Sequence, residues 1–352
     1  MLGSTRDESA LYQADAFRVW AGLAVIWFHS IESPALRASG VLGRFSVAFY
    51  TILGMVLIFE GLARRSNQHF TVFAGKRLRR LYLPFLGWSA LTGAALFLLH
   101  AVDPKTHPVP LRLSILVSGT AEPLWFVPFF LVGSAIVFPL AKWSVGRVRR
   151  EIAVAVLCGM VALGLDLIPW NDPPLRRVPL VGDLLRSTWN RWSAVYWGVV
   201  VAIAYRRWLI GWRWMPVLAI LGIALAVGVG VWQWSFGIVP ALKVAGGLGL
   251  VIASLGRSRN DLIRRVAKWG PLTYGLYLSH SLWIAVARAA AHLCGIPVSW
   301  ERDVLVFIIA ASASILSVQA LFRSPALSWL VGGSATAGDA RRRQQGVVDP
   351  AV

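Results

Sequence analysis

The sequence predicts an all-α protein, a polytopic bundle of about ten membrane-spanning helices with both termini in the cytoplasm. Three observations carry that expectation. Hydrophobic residues fill 57% of the 352 positions and charged ones only 14%, about half the soluble share of roughly 25%. A water-exposed surface could not be covered with so few charges. The apolar residues also fall in runs close to the about 20 residues that a spanning helix needs. The 18 Trp suit the membrane–water boundary, where their amphipathic rings collect.

The segments follow from the flanking signals. The first, 16–33, runs from Ala16 past His29 and stops before Pro34. Its start carries Asp7, Glu8 and Asp15 and no small-residue cleavage site follows, so it reads as a retained helix and not a signal peptide. The second, 43–62, ends at Arg64 and Arg65; the third, 82–101, follows a basic stretch that includes Lys76, Arg77, Arg79 and Arg80. The run 111–119 is apolar but too short to span, and is expected to lie on the surface or re-enter. The fourth, 123–141, opens at Pro123, and the fifth, 152–169, follows Arg147, Arg149 and Arg150. The sixth, 192–207, is short and its end is crowded by Arg206 and Arg207. The seventh and eighth are 214–233 and 237–255. The ninth, 270–292, opens on Gly270-Pro271, and the tenth, 303–322, ends before Arg323. Residues 1–332 are thus expected to form one membrane domain, and 333–352, rich in Gly, Ala, Arg and Gln, a disordered cytoplasmic tail.

The net charge of +19 does not point to nucleic acid, because the cations sit in short runs between apolar segments and form no basic domain. Most of the 35 Lys and Arg lie on alternate loops, the side that takes Arg64, Arg65, Lys76 to Arg80, Lys142 to Arg150, Arg206 to Arg213, Arg257 to Lys268 and Arg341 to Arg343. The opposite side holds a minority, including Arg37, Arg44, Arg191 and Arg302. That bias places the first side in the cytoplasm. Cys158 and Cys294 form no paired motif, and no cluster of His, Cys or carboxylates has metal-binding spacing.

Ionisable residues within spans are costly and are functional candidates. Arg18 and His29 share the first segment, about 16 Å apart along a helix axis. Glu32 follows His29 by three residues, so on a helix it would share that face and could orient the imidazole. Either these groups are interfacial or they form a site in the outer half. His280 lies near the middle of the ninth segment, with Tyr277 and Tyr274 on the same face. This group is either a satisfied structural network or the lining of a cavity. Arg288 should face the bundle interior or a vestibule. Arg77 and Arg80, three apart, suit a phosphate-bearing ligand or ordinary topology loading. Serine-hydrolase elbows, phosphate-binding glycine loops and zinc-protease motifs are all missing from the sequence.

Together these residues resemble the membrane-bound acyltransferase-3 family, which O-acylates sugars of bacterial envelopes. Arg18 and His29 match its basic-residue, ten-residue, His pattern, with Asp15 in the leading acidic place. Arg77 and Arg80 match its R-x-x-R, PLWFVPFFL at 123–131 its LWFL segment with Trp125, and Tyr274, Tyr277 and His280 its late SYGxYLxH segment. The match covers about 13–322. Two departures blur the subfamily: the second helix carries Leu53-Gly54-Met55 where Ser-Gly-Phe is common, and no Glu follows Trp125 in the place some members have one.

The resemblance implies a multi-pass protein of the bacterial inner membrane with acyl-CoA as donor co-substrate and no permanently bound cofactor or metal. Arg77 and Arg80 would hold the donor's phosphates and Arg18 would line its path. His29 would act as general base on a hydroxyl of a carbohydrate or glycolipid, with Glu32 as orienter and Tyr277, His280, Tyr274, Arg288 and Trp125 as cavity or substrate contacts. Rival readings are a transporter or flippase of an anionic or sugar-linked substrate, and an assembly subunit.

Overall fold

The computed structural model describes residues 9–37, 39–65, 67–102, 115–167, 188, 191–209, 214–236, 240–256 and 260–332. Among these residues every regular element is helical. In chain order the α-helices are α1 (Ser9–Ser30), α2 (Val41–Arg64), α3 (Phe70–Arg77), α4 (Leu83–Val102), α5 (Ile115–Ser118), α6 (Phe126–Ser144), α7 (Val148–Leu167) and α8 (Trp192–Ala204). Then come α9 (Met215–Phe236), α10 (Pro240–Ser254), α11 (Asp261–Ala267), α12 (Thr273–Leu293) and α13 (Trp300–Arg323). Each expected span is occupied by one of the longer helices. Among the described residues four stretches, Gly43–Arg64, Phe70–Leu98, Pro123–Ser144 and Trp300–Arg323, have by themselves the length and hydropathy to cross a membrane. Residues 103–114, most of 168–190 and all of the expected tail at 333–352 lie outside the described residues.

Helix ends have local causes. α1 stops at Ser30, short of the expected boundary, because Ser33 and Pro34 turn the chain into a short 3₁₀ turn. α12 ends on Gly295, whose φ of 69° suits glycine, while the Ile296 amide donates to the Ala291 carbonyl at 2.9 Å. α13 begins on Ser299, whose hydroxyl accepts from the Arg302 amide at 3.3 Å.

α2 is the central helix. Its Phe45, Phe49, Ile52, Leu53, Met55, Val56, Phe59 and Leu62 are all buried, and α1, α6, α8 and α10 pack around it. Without a hydrophobic drive between helices in lipid, association depends on close packing at small residues. Gly43 meets Phe28 and Ala24 of α1, Gly198 of α8 meets Ile52 and Met55, and Gly246 and Gly247 of α10 meet Phe45 and Ala48. On the periphery, α7 leaves Ile152, Val156, Leu157, Met160, Leu163 and Leu167 exposed, a face fit for lipid.

Two features were not legible in the sequence. α3 and α4 form one continuous helix whose middle, Leu78–Tyr82, widens into a π-helix; such segments are frequent at functional sites. The described end of the short apolar run, 115–119, also packs on α4. The Tyr82 hydroxyl donates to the Leu116 carbonyl at 3.0 Å and the Thr120 hydroxyl to the Ser89 carbonyl at 2.8 Å. Residues 115–120 therefore pack beside the first half of α4, away from its Val102 end, while 111–114 of that run lie outside the described residues.

In the first turn of α7, Glu151 is fully buried. One oxygen accepts from the Gly146 amide at 2.9 Å, the other from Arg207, and Arg206 stands 3.9 Å away. This ties α7 to the π-helical end of α8, Tyr205–Leu209, and explains why Arg206 and Arg207 crowd a span terminus. Glu151→Ala should lower stability by about 2–3 kcal/mol, less than a fully buried pair because both arginines keep some solvent. A thermal melt in detergent checks it; an unchanged Tm would show the cluster to be incidental.

Candidate active site

A cavity of about 440 Å³ opens between α1, α2, the π-helix, α6 and α12. It brings together Arg18, Arg77, Arg80, Tyr274 and Tyr277, five residues singled out in the sequence from three separate segments. The π-helix places Arg80 on the same lining as Arg77, whose guanidinium lies 5.0 Å from the Phe73 ring centre. Within that wider turn the Tyr274 hydroxyl donates to the Leu81 carbonyl at 2.5 Å. Arg18 pairs with Asp15 at 2.8 Å at the cavity edge, and the Tyr50 hydroxyl donates to the Arg18 carbonyl at 2.5 Å. The apolar part of the lining includes Leu53, Gly54, Phe126 and Phe130. A side chain at Gly54 would run into the Phe130 ring at 2.3 Å, so glycine lets that ring close over α2. Three cations and an apolar lining on one cavity suit a ligand with a phosphorylated head and a less polar arm.

Tyr277 stands at the boundary of this cavity, buried, with its hydroxyl donating to the Pro123 carbonyl. From it a chain of rings leads inward. Phe126 and Tyr277 are 5.5 Å apart, Tyr277 and His280 5.6 Å, and His280 and His29 5.6 Å. His280 has no exposure. Its Nδ1 lies 2.5 Å from the Tyr277 carbonyl; a carbonyl only accepts, so Nδ1 carries the proton and Nε2 is an acceptor in the neutral ring. That Nε2 has no hydrogen-bond partner among the described residues. His29 is half-buried and its ring packs edge-on to Phe28 at 4.9 Å.

Beyond His29 lies a polar clamp. Because α1 ends at Ser30, Glu32 does not share a helical face with His29, and the expected carboxylate–imidazole contact is replaced by others. Glu32 pairs with Arg288 at 3.1 Å and with Arg302 at 3.4 Å. Arg288 in turn donates to the His29 carbonyl at 2.7 Å, so it faces the interior as expected of a span arginine. Asp303, buried, accepts from the Glu32 and Ser33 amides at 3.0 and 2.9 Å and from the Ser33 hydroxyl at 2.6 Å. Trp125 is buried but outside the cavity lining, beneath the Arg191 guanidinium at 4.4 Å.

Sequence reasoning missed Tyr50, Asp303 and the short turn Ser328–Val331, whose Leu330 carbonyl accepts from Trp88 at 2.9 Å and which leads into Gly332 beside Tyr274 and Arg80. Only Asp303 carried a signal, as an acid in the first turn of a Ser-capped helix. Among the described residues no three His, Cys, Asp or Glu side chains are grouped to hold a metal.

The helices thus enclose a cavity that carries three cations and borders, through Tyr277, on a pair of histidines, an arrangement that suits a membrane enzyme. The family comparison agrees: the model of the acyltransferase-3 family, described as an acyltransferase domain, matches residues 11–323, and the chain belongs to that family. It is a membrane acyltransferase. No curated protein matches the chain, and no solved structure does.

Proposed function

We propose that the protein transfers an acyl group, by default acetyl, from cytoplasmic acyl-CoA to a hydroxyl of an envelope carbohydrate, across a bacterial inner membrane. About ten helices would span it, with both termini on the cytoplasmic side. The observation that carries this reading is the placement of Arg18, Arg77 and Arg80 on one cavity, with Tyr277 at its boundary and His280 and His29 next in line.

Arg77 and Arg80 bind the CoA phosphates, with Arg18 at the entrance. The pantetheine arm follows the apolar lining toward Tyr277. His29 takes the proton of the acceptor hydroxyl, whose oxygen bonds to the thioester carbonyl carbon. Collapse of the tetrahedral intermediate breaks the C–S bond, and the departing sulfur takes up the proton from His29 to leave as free CoA. His280 is a positioning residue: its unpaired Nε2 is set to receive an N–H of His29 and fix that ring. The rings stand only slightly farther apart than a direct N–H···N bond of about 3 Å would place them. Glu32 acts one step removed, through Arg288 and the His29 backbone.

The test is CoA-thiol release in proteoliposomes, with acetyl-CoA on one side and membrane glycan extract on the other. Release that needs both compartments filled is the expected result. Glycan movement without thiol release or acyl-CoA binding would replace this reading with a transporter.

A further inference from the structure

α13 ends at Arg323, yet the chain after it turns back onto the bundle. The 3₁₀ turn Ser328–Val331 lies against both α4 and α12, and its end reaches the π-helix. Leu330 and Val331 are buried. Leu330 occupies the space beside Gly87 of α4, and Val331 that beside Gly275 of α12. The Trp88 indole N–H donates to the Leu330 carbonyl at 2.9 Å. Next comes Gly332, whose φ of 73° lies in the left-handed region that is costly for a residue with a side chain. A side chain there would come within 3.0 Å of the Tyr274 ring and 3.1 Å of the Arg80 carbonyl.

Arg80 and Tyr274 both line the cavity. Arg80 belongs to the π-helix, after which the Leu83 amide donates to the Leu78 carbonyl five residues back. Such wide turns are rare beside ordinary α-helix, so this one persists because its surroundings hold it. Two contacts do so. The Tyr274 hydroxyl donates to the Leu81 carbonyl at 2.5 Å, and Gly332 closes on the Arg80 carbonyl with the Tyr274 ring beside it. Neither Gly332 nor Leu330 is part of the cavity lining. The turn therefore acts on the cavity through Arg80 and Tyr274.

We infer that the turn at 328–332 is a positioning element of the donor site, with Gly332 setting where the Arg80 guanidinium stands for a donor phosphate. The inference rests on the reading of this cavity as the acyl-CoA site. Gly332→Ala, made in the full chain, is assayed in proteoliposomes with acetyl-CoA and with acetyl-pantetheine, which lacks every phosphate. Its kcat/KM for acetyl-CoA should fall about fivefold through KM, part of what a full charge-assisted hydrogen bond contributes. Its kcat and its kcat/KM for acetyl-pantetheine should not change. Both donors meet the same preparation, so a loss of folded protein cancels in their ratio. In the Arg80→Gln background the same substitution should add nothing, because the group that it displaces is gone. Trp88→Phe removes the tether to Leu330 without straining Gly332, should lower the ratio in the same direction, and carries the comparison if Gly332→Ala does not accumulate. A wild-type donor ratio in both variants, or full additivity with Arg80→Gln, would overturn the positioning role. Binding of radiolabelled CoA separates that failure from failure of the reading beneath it. CoA binding weakened in the variants, with no thiol release from any protein, would keep the role and remove acyl transfer. Thiol release and CoA binding unchanged in the variants would keep acyl transfer and remove the role. Wild type that neither binds CoA nor releases thiol would overturn both.

Discussion

His29→Gln is expected to reduce acceptor-dependent CoA release by about three orders of magnitude, within the range by which a positioned base contributes. Acyl-CoA binding should survive, because the cavity that would hold the donor is lined by Arg18, Arg77, Arg80 and Tyr277 and His29 is not part of that lining. Gln keeps hydrogen-bonding capacity while removing the base, so it separates proton transfer from mere contact. The companion variant His280→Ala should lower kcat by about 10- to 100-fold and leave the donor KM unchanged, as expected for a group that orients the base without touching the donor. It should also alter the pH profile, since an unheld His29 ring titrates without its partner, whereas a purely structural loss would lower the amount of folded protein at every pH alike. Steady-state kinetics in proteoliposomes measure both. A His29→Gln protein retaining a tenth or more of wild-type turnover would remove His29 from the chemistry.

The second large effect concerns the donor. Arg77→Gln and Arg80→Gln should each raise the acyl-CoA KM about tenfold, and together about a hundredfold, because a charge-assisted hydrogen bond contributes about 1.5–3 kcal/mol. The diagnostic is a comparison with acetyl-pantetheine, which has the thioester but no phosphate. Wild type should prefer acetyl-CoA strongly, and the double variant should lose most of that preference. If these arginines only set topology, both substrates would fall together with the amount of correctly inserted protein and the preference would persist. Added salt should weaken wild-type donor binding more than that of the variant, since screening acts on the charges that remain.

Much of the fold was legible because a membrane imposes strict rules on sequence. Backbone groups in lipid must be satisfied within each segment, so a long apolar run such as 43–62 or 303–322 has to be helical, and both are. The same cost made Arg18, His29, His280 and Arg288 conspicuous, and each proves to have an interior setting: a cavity edge, a ring pair, or a salt bridge to Glu32. The partners of these residues were less legible. Glu32 looked like a companion of His29 because three residues separate them, but that inference holds only while the helix continues, and α1 ends between the two at Ser30. Its actual partners, Arg288 and Arg302, lie on α12 and α13, more than 250 residues away.

The sequence by itself determined the class of the protein, its helical segments and the positions where charge enters the apolar phase, because these depend on local composition and on the cost of burying charge. Only the tertiary structure decided that Arg18, Arg77, Arg80 and Tyr277 share one cavity, that a π-helix brings Arg80 round to it, and that His280 offers an unpaired nitrogen beside His29. The physical reason is that helix packing in lipid is set by close steric fit at residues such as Gly43, Gly54 and Gly198. That fit is a property of pairs of surfaces from distant parts of the chain, and no single segment encodes it.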